Sequence, residues 1–320
     1  MKMTLAEFMD TGGIPAEDAF CVHNNVWVQL FYPCLKEKDE AFLNRNRPGP
    51  LLTRLRRKLY FEYGCNVIPL DPGLVEHELL FWGGRYTDVD LKSVAGLFAG
   101  LSKKYARKGN PYTIVIGLSD HYFSDEQAAL IPETVERVFA VNCNADHPGV
   151  HWLPIGRDPL NMDFFNIKPQ ADKSSLVYCN FSPATHPSRQ VVLDSIKDKE
   201  FINFVHVEGY GAYSSYPKTQ EEFLNELNMH QFAICPRGNG FDTYRLWDCL
   251  ALGVIPIVVR EAQFHRFMEE LPILFLDSNE DYADLTEEFL LTEYDRMLNT
   301  KYHYDLLTTS YWKRVVSGEE

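Results

Sequence analysis

Between Leu176 and Met297, short apolar runs alternate with stretches at helical spacing, and this alternation restricts the fold more than any other feature. The runs Leu176–Phe181, Phe201–Val207, Gln231–Cys235, Val254–Val259 and Ile273–Leu276 read as strands. Pro187–Ile196, Thr219–Met229, Thr243–Leu252, a short stretch near Phe264–Glu270, and Asp281–Met297 read as helices. Strands separated by single helices of this length imply an α/β fold with a parallel sheet and helices on both faces. The runs are apolar throughout rather than alternating, as a sheet covered on both sides requires.

The first half is less regular. Tyr112–Leu118 is a continuously apolar, β-branched run that ends in Ser119-Asp120-His121. Val138–Val141 and Val150–Leu153 repeat the pattern, and the second closes with Pro154-Ile155-Gly156-Arg157. Before them, Val26–Tyr32 suggests a strand, Leu51–Tyr60 a basic helix opened by Gly49-Pro50, and Asp90–Tyr105 an amphipathic helix with Leu91, Val94, Leu97, Phe98 and Leu101 on one face. A chain of 320 residues exceeds what one core usually serves, so two domains are expected. The polar, proline-containing stretch after Asp158 sets the division at 1–172 and 173–320, two Rossmann-like domains facing a central cleft. Strand tips carry ligands in open α/β sheets, which turns Asp120, His121 and Arg157 toward that cleft.

Charge narrows the partners. With 31 Lys plus Arg against 45 Asp plus Glu, the net charge of −14 repels nucleic acid and anionic membranes over most of the surface. A bound polyphosphate then needs local arginines or backbone N–H groups. The seven cysteines are odd in number, contain no C-x-x-C pair and sit mostly in apolar runs, so free buried thiols are expected. The segment Met1–Gly13 has no apolar core of a signal peptide, and no run approaches the ~18 apolar residues of a spanning helix.

The segment from Gln231 to Val259 carries the chemistry. A buried strand enters a loop with Arg237, Gly238 and Gly240, Asp242 stands where an N-cap belongs, and a helix follows that ends at Gly253, a C′ position. Glycines admit close approach of a ligand, and the first-turn N–H groups with the helix dipole attract an anion. Arg237 and Arg245 can reach the same phosphates, Arg245 as a bidentate fork. Asp248, three residues after Arg245, either accepts from ribose hydroxyls or pairs with that arginine. No G-K-[ST] follows, so this is not a P-loop. Thr243 stands where the dinucleotide fingerprint needs glycine, and no such fingerprint follows Phe181 either, which argues against a nicotinamide enzyme.

Pro236, Gly238, Gly240, Asp242, Thr243, Arg245, Asp248, Gly253, Ile255 and Pro256 together resemble the donor-domain signature of the exostosin-like glycosyltransferases, in which the acidic position is usually glutamate. Leu176 through Asn180 and Ser182, followed by Thr185 and Arg189, look like the opening strand and helix of that domain. His147-Pro148 through Gly156 looks like the stretch before the linker, so the likeness runs from near Tyr112 to Val259. It implies a GT-B arrangement, with an acceptor domain at 1–172 and a donor domain at 173–320. The implied reaction is inverting and metal-independent. The donor is a UDP-sugar such as UDP-xylose or another UDP-hexose or uronate, with a GDP-sugar as alternative, and the acceptor is an oligosaccharide or glycoprotein hydroxyl.

Donor contacts then fall to Asn180, Ser182, Arg189, Arg237, Gly238, Gly240, Asp242, Thr243, Arg245 and Asp248, and the acceptor base to Asp120 or His121. A more distant likeness is to the GDP-fucose-using fucosyltransferases, whose glutamate before the basic residue is Tyr244 here. A module that binds a nucleotide or an anionic glycan without turnover is the alternative outside enzymes. Asp88-Val89-Asp90 has the D-x-D form of a metal-held diphosphate site, but carboxylates at a helix start favour the dipole without any metal. The histidines are scattered, so neither a metal nor a cofactor is expected. The expected location is cytoplasmic, or alternatively that of a soluble fragment of a membrane-anchored Golgi enzyme.

Overall fold

The computed structural model describes residues 2–21, 67–70, 78–83, 92, 94–99, 112–117, 120–158, 163–205, 207, 218–261 and 264–319. The expected strand at Val26–Tyr32, the basic helix at Leu51–Tyr60, the Asp88-Val89-Asp90 pair, Cys34 and Cys65 lie outside these residues. The chain forms two compact units, Met1–Cys21 with Gly156–Tyr311, and Val22–Ile155 with Trp312–Glu320. The division drawn from sequence at 172/173 thus differs from the seam at Ile155/Gly156, and each unit also takes a terminal segment. Pairing causes the difference at the N-terminus: β1 (Lys2–Thr4) lies antiparallel to residues Lys301–His303. Helix α1 (Leu5–Asp10) follows, started by a capping box between Thr4 and Glu7. Phe8 stacks on Tyr304 with ring centroids 4.0 Å apart, and the Phe20 N–H donates to Leu307 O at 2.9 Å.

In the unit built on Val22–Ile155, five strands lie in the order β2 (Val67–Leu70), β3 (Glu78–Gly83), β4 (Tyr112–Gly117), β6 (Val135–Ala140), β8 (Val150–Trp152). Only β2 is antiparallel to its neighbour. Two further short strands, β5 (Phe123–Ser124) and β7 (Cys143–Asn144), pair beside it, with helix α2 (Asp125–Ala128) after β5. Ile114, Val115, Ile116, Val138 and Phe139 are buried, as their apolar runs foretold, and helical residues 94–99 bury Val94, Leu97 and Phe98. Arg137 donates to the carbonyls of Val315 and Val316 and Trp312 meets Trp152 edge-on at 5.3 Å, which gives the last residues to this unit.

The other unit holds β9 (Ser175–Cys179), α3 (Ser188–Ile196), β10 (Ile202–Phe204), α4 (Gln220–Asn228), β11 (His230–Ile234), α5 (Tyr244–Ala251), β12 (Ile255–Val259), β13 (Leu274–Leu276), α6 (Glu287–Leu298) and β14 (Lys301–His303). Its sheet is fully parallel in the order β10-β9-β11-β12-β13. The first strand in sequence is therefore not at an edge, and the direction of winding reverses between β9 and β11. Helix α5 covers the sheet with Leu246, Trp247, Cys249 and Leu250, each at most 1% exposed; burying one large apolar side chain of this kind contributes about 1.5–3 kcal/mol.

Gly253 ends this helix at φ +64°, and a Cβ there would meet Met9 Cγ at 2.7 Å, so both conformation and space demand glycine. The single helix expected over Asp281–Met297 is two. A 3₁₀ turn at Glu280–Asp284 gives way at Leu285, and Thr286 restarts the chain as the cap of α6 by accepting from the Phe289 N–H at 3.2 Å. Helix α7 (Thr309–Ser317) follows β14.

Candidate functional site

In a doubly wound sheet the crevice for a ligand opens beyond the carboxyl ends of the strands where the winding reverses. Here that is the edge formed by Asn180–Ser182 after β9 and Cys235–Gly238 after β11. The helices that follow these two strands, α3 and α5, begin at this edge. Neither has a side-chain cap, whereas α1, α4 and α6 are capped by Thr4, Thr219 and Thr286. The N-cap of α5 is Thr243 and not Asp242 as expected. Asp242 is buried and accepts from Trp247 Nε1 at 2.6 Å, a bond that pins the loop to the helix and takes that carboxylate out of the cap position.

Three arginines meet at this edge. Arg189, in the first turn of α3, donates through Nε to Arg237 O at 2.7 Å, through Nη1 to Ser182 O at 3.1 Å and through Nη2 to Pro236 O at 3.3 Å. It binds the glycine loop to the tip of β9. Arg245, in the first turn of α5, donates through Nη2 to Asn180 O at 3.2 Å. Arg237 donates to Gly238 O and to Asn239 O, lies 4.4 Å over the Phe241 ring, and pairs with Glu261 at 3.7 Å. Neither Arg189 nor Arg245 has a carboxylate partner among the described residues.

Burial, with the positive charge of Arg245, pushes Arg189 down to about 10. Burial and then Arg237 and Arg189 also lower the His186 imidazole, whose Nδ1 accepts from the Ser188 N–H at 3.3 Å and so directs its remaining N–H from Nε2. Asn180 is 3% exposed and its Oδ1 has no hydrogen-bond partner among the described residues, an arrangement that costs free energy until a donor arrives. Ser182 is buried beside it. Three arginines and two uncapped helix ends converge where the described carboxylates are Asp242, held by Trp247, and Glu261, loosely paired with Arg237. An anion of at least two charges is the natural complement.

Gly238 has no positive φ, and a Cβ there would make only ordinary contacts, the nearest to Arg189 Nη2 at 3.7 Å. Asp248 is the larger correction. It is 2% exposed and accepts from Arg157 Nε at 2.9 Å, so it neither pairs with Arg245 nor presents itself to a ribose. Arg157 follows Gly156, whose φ of +71° lets the chain pass within contact of Phe20. Sequence reading placed Arg157 at a strand tip but had no means of giving it this partner. His186 and Glu261 were also missed, although Glu261 lies just past β12 and the strand-tip rule applied to every strand would have marked it.

Asp120 and His121 belong to the other unit, where both are exposed in the bend after β4. Among the described residues no group of His, Cys, Asp or Glu is arranged to hold a metal ion, and no helix is long and apolar enough to cross a membrane. The described cysteines form no disulfide and are buried, with Cys235 and Cys249 Sγ atoms 3.7 Å apart. Neither a protein-family model nor a curated protein matches this chain.

A buried histidine fixes the segment beyond β12 and gives it a pH dependence. His265 is 1% exposed and its Nδ1 accepts from the Glu261 N–H at 2.8 Å, while burial pushes its pKa from 6.5 to about 4. The unfolded chain takes up this proton near pH 6.5 and the folded chain only near 4, so the contribution is fully present above 6.5 and declines as pH falls between those values. Urea midpoints at pH 7 and 5 are expected to fall further for the wild type than for His265→Gln, which keeps an acceptor that does not titrate. Equal falls in the two proteins would contradict this assignment.

Proposed function

We propose that this chain is a sugar-nucleotide-dependent glycosyltransferase of the exostosin-like type, with the GT-B arrangement of two domains and the donor bound in the unit that contains β9–β13. The observation that carries the reading is the convergence of Arg189, Arg237 and Arg245 on the reversal point of a parallel sheet, in a protein of net charge −14. Such a cluster is expensive to assemble without an anion. Two uncapped helix N-termini at the same edge add oriented N–H groups, and the buried Asn180 amide adds a further polar contact.

In the reaction, a base deprotonates the acceptor hydroxyl, whose oxygen attacks the anomeric carbon as the bond to the diphosphate breaks. Charge then grows on the departing nucleoside diphosphate. Arg237, Arg245 and the first-turn N–H groups of α5 stabilise that charge, with Arg189 holding their loop in place. Fixed cations do this work without a metal, and Asp120 or His121 supplies the base.

The reading is tested first by ligand. UDP or GDP at a hundred times its Kd is expected to stabilise the protein by about 2.7 kcal/mol in thermal unfolding, with UDP the preferred carrier and CMP without effect. Absence of any shift with either diphosphate would overturn the donor site. Sugar transfer is expected to persist in excess EDTA. Activity lost to EDTA and restored by Mg²⁺ or Mn²⁺ would reject the arginine-based mechanism and direct attention to Asp88 and Asp90.

A further inference from the structure

The acidic residue of the glycine-loop helix is closed to a nucleoside. Asp248, which fills the acidic position of the resembled signature, is sealed in an ion pair with Arg157, and both side chains are at most 5% exposed. The segment from β11 to β12 nevertheless has the order of a mononucleotide-binding βαβ unit: a strand, a glycine loop, a helix starting at the anion site, and a parallel neighbouring strand. In units of that order the ribose hydroxyls are held by an acidic side chain about twenty residues after the glycine loop, at the carboxyl end of the second strand. Glu261 stands at that place, two residues past the end of β12 and about twenty after Gly240.

We propose that Glu261 is the residue that recognises the ribose diol of the bound nucleotide, which makes the site selective for a ribonucleoside diphosphate over a bare diphosphate. This rests on the donor-site reading above. Four observations support it. The carboxylate is at the same sheet edge as the arginine cluster, 3.7 Å from Arg237 Nη1. That separation is an ion pair without a tight hydrogen bond, so the carboxylate is available to a better donor. Its side chain is 28% exposed, whereas Asp248 is closed off from solvent. Its backbone is anchored by the bond from its N–H to the neutral His265 ring, which fixes the position from which the side chain reaches. A diphosphate that engages Arg237 replaces the weak pairing and frees both carboxylate oxygens to accept from two vicinal hydroxyls.

The test compares UDP, GDP, their 2′,3′-dideoxy counterparts and inorganic pyrophosphate by calorimetry on the wild type and on Glu261→Gln. The wild type is expected to bind the ribonucleotide about tenfold to a hundredfold more tightly than the dideoxy form. Glu261→Gln is expected to lose most of that preference while binding pyrophosphate at least as well as the wild type, because the ion pair between Glu261 and Arg237 no longer competes with the ligand. If the wild type binds UDP or GDP but Glu261→Gln keeps the full preference for the ribose form, Glu261 is rejected and the donor site stands. If the wild type binds pyrophosphate alone, the ribose assignment fails and the nucleotide reading fails with it, leaving an anion site. If it binds none of these ligands, the donor site itself is overturned.

Discussion

Asp248→Ala is expected to lower the stability of the protein by about 3–5 kcal/mol, the usual cost of leaving one member of a buried ion pair without its partner. Arg157 is 4% exposed, and removing Asp248 leaves its guanidinium buried without the carboxylate that lies 2.9 Å away. One of its atoms, Nη2, already lacks a hydrogen-bond partner among the described residues, so little reserve remains to absorb the loss. Asp248→Asn keeps an oxygen for Arg157 Nε but not the charge, and its cost is expected to fall between wild type and alanine. Urea unfolding of both variants measures this directly. The sequence resemblance makes a different forecast, in which Asp248 touches the ribose, nucleotide affinity falls and stability hardly changes. Unaltered stability in Asp248→Ala would reject the strut assigned to the Arg157–Asp248 pair.

Arg245→Ala is expected to weaken UDP binding about tenfold to a hundredfold, the loss of a charge-assisted contact to a multiply charged anion. Stability should change little. The arginine gives up one hydrogen bond to the Asn180 carbonyl at 3.2 Å, and its removal relieves the repulsion that helps push Arg189 down. Arg245→Lys keeps the charge without the planar fork and is expected to recover only part of the affinity. From sequence alone an i, i+3 pair with Asp248 was a competitor for this side chain. The engagement of Asp248 by Arg157 removes that competitor and leaves Arg245 free for a ligand. Calorimetry with UDP, together with an unfolding midpoint on the same variant, separates the outcomes; unchanged affinity would withdraw Arg245 from the donor site.

Much of the candidate site was legible because it is local. A strand, a glycine loop and a helix start are written within thirty or so residues, and the physics that joins them, first-turn N–H groups and side chains one turn apart, acts over the same range. Arg237 and Arg245 lie within that range, and the structure brings both to one sheet edge. Asp242 was misplaced by one residue because two polar residues in succession both suit a cap, and the choice fell to Trp247, whose indole N–H claims the Asp242 carboxylate. Asp248 was misread because its partner, Arg157, comes from a distant part of the chain.

What the amino-acid order determined by itself is the set of parallel strands and their intervening helices in the unit from β9 to β13, since continuous apolar runs and helical periodicity are properties of neighbouring residues. It also determined that the described cysteines are buried and that a cationic loop precedes α5. The tertiary structure alone decided the strand order β10-β9-β11-β12-β13, and with it the reversal that brings the first turns of α3 and α5 to one edge. It decided the pairing of β1 with β14, which carries the N-terminal residues into the C-terminal unit. It also decided which carboxylates are spent: Asp242 on Trp247, Asp248 on Arg157, and Glu261 only loosely on Arg237. Those outcomes depend on which buried group finds a partner of opposite charge or matching hydrogen-bond capacity across the core. Desolvation penalises every unpaired choice, and no local pattern in the chain records that competition.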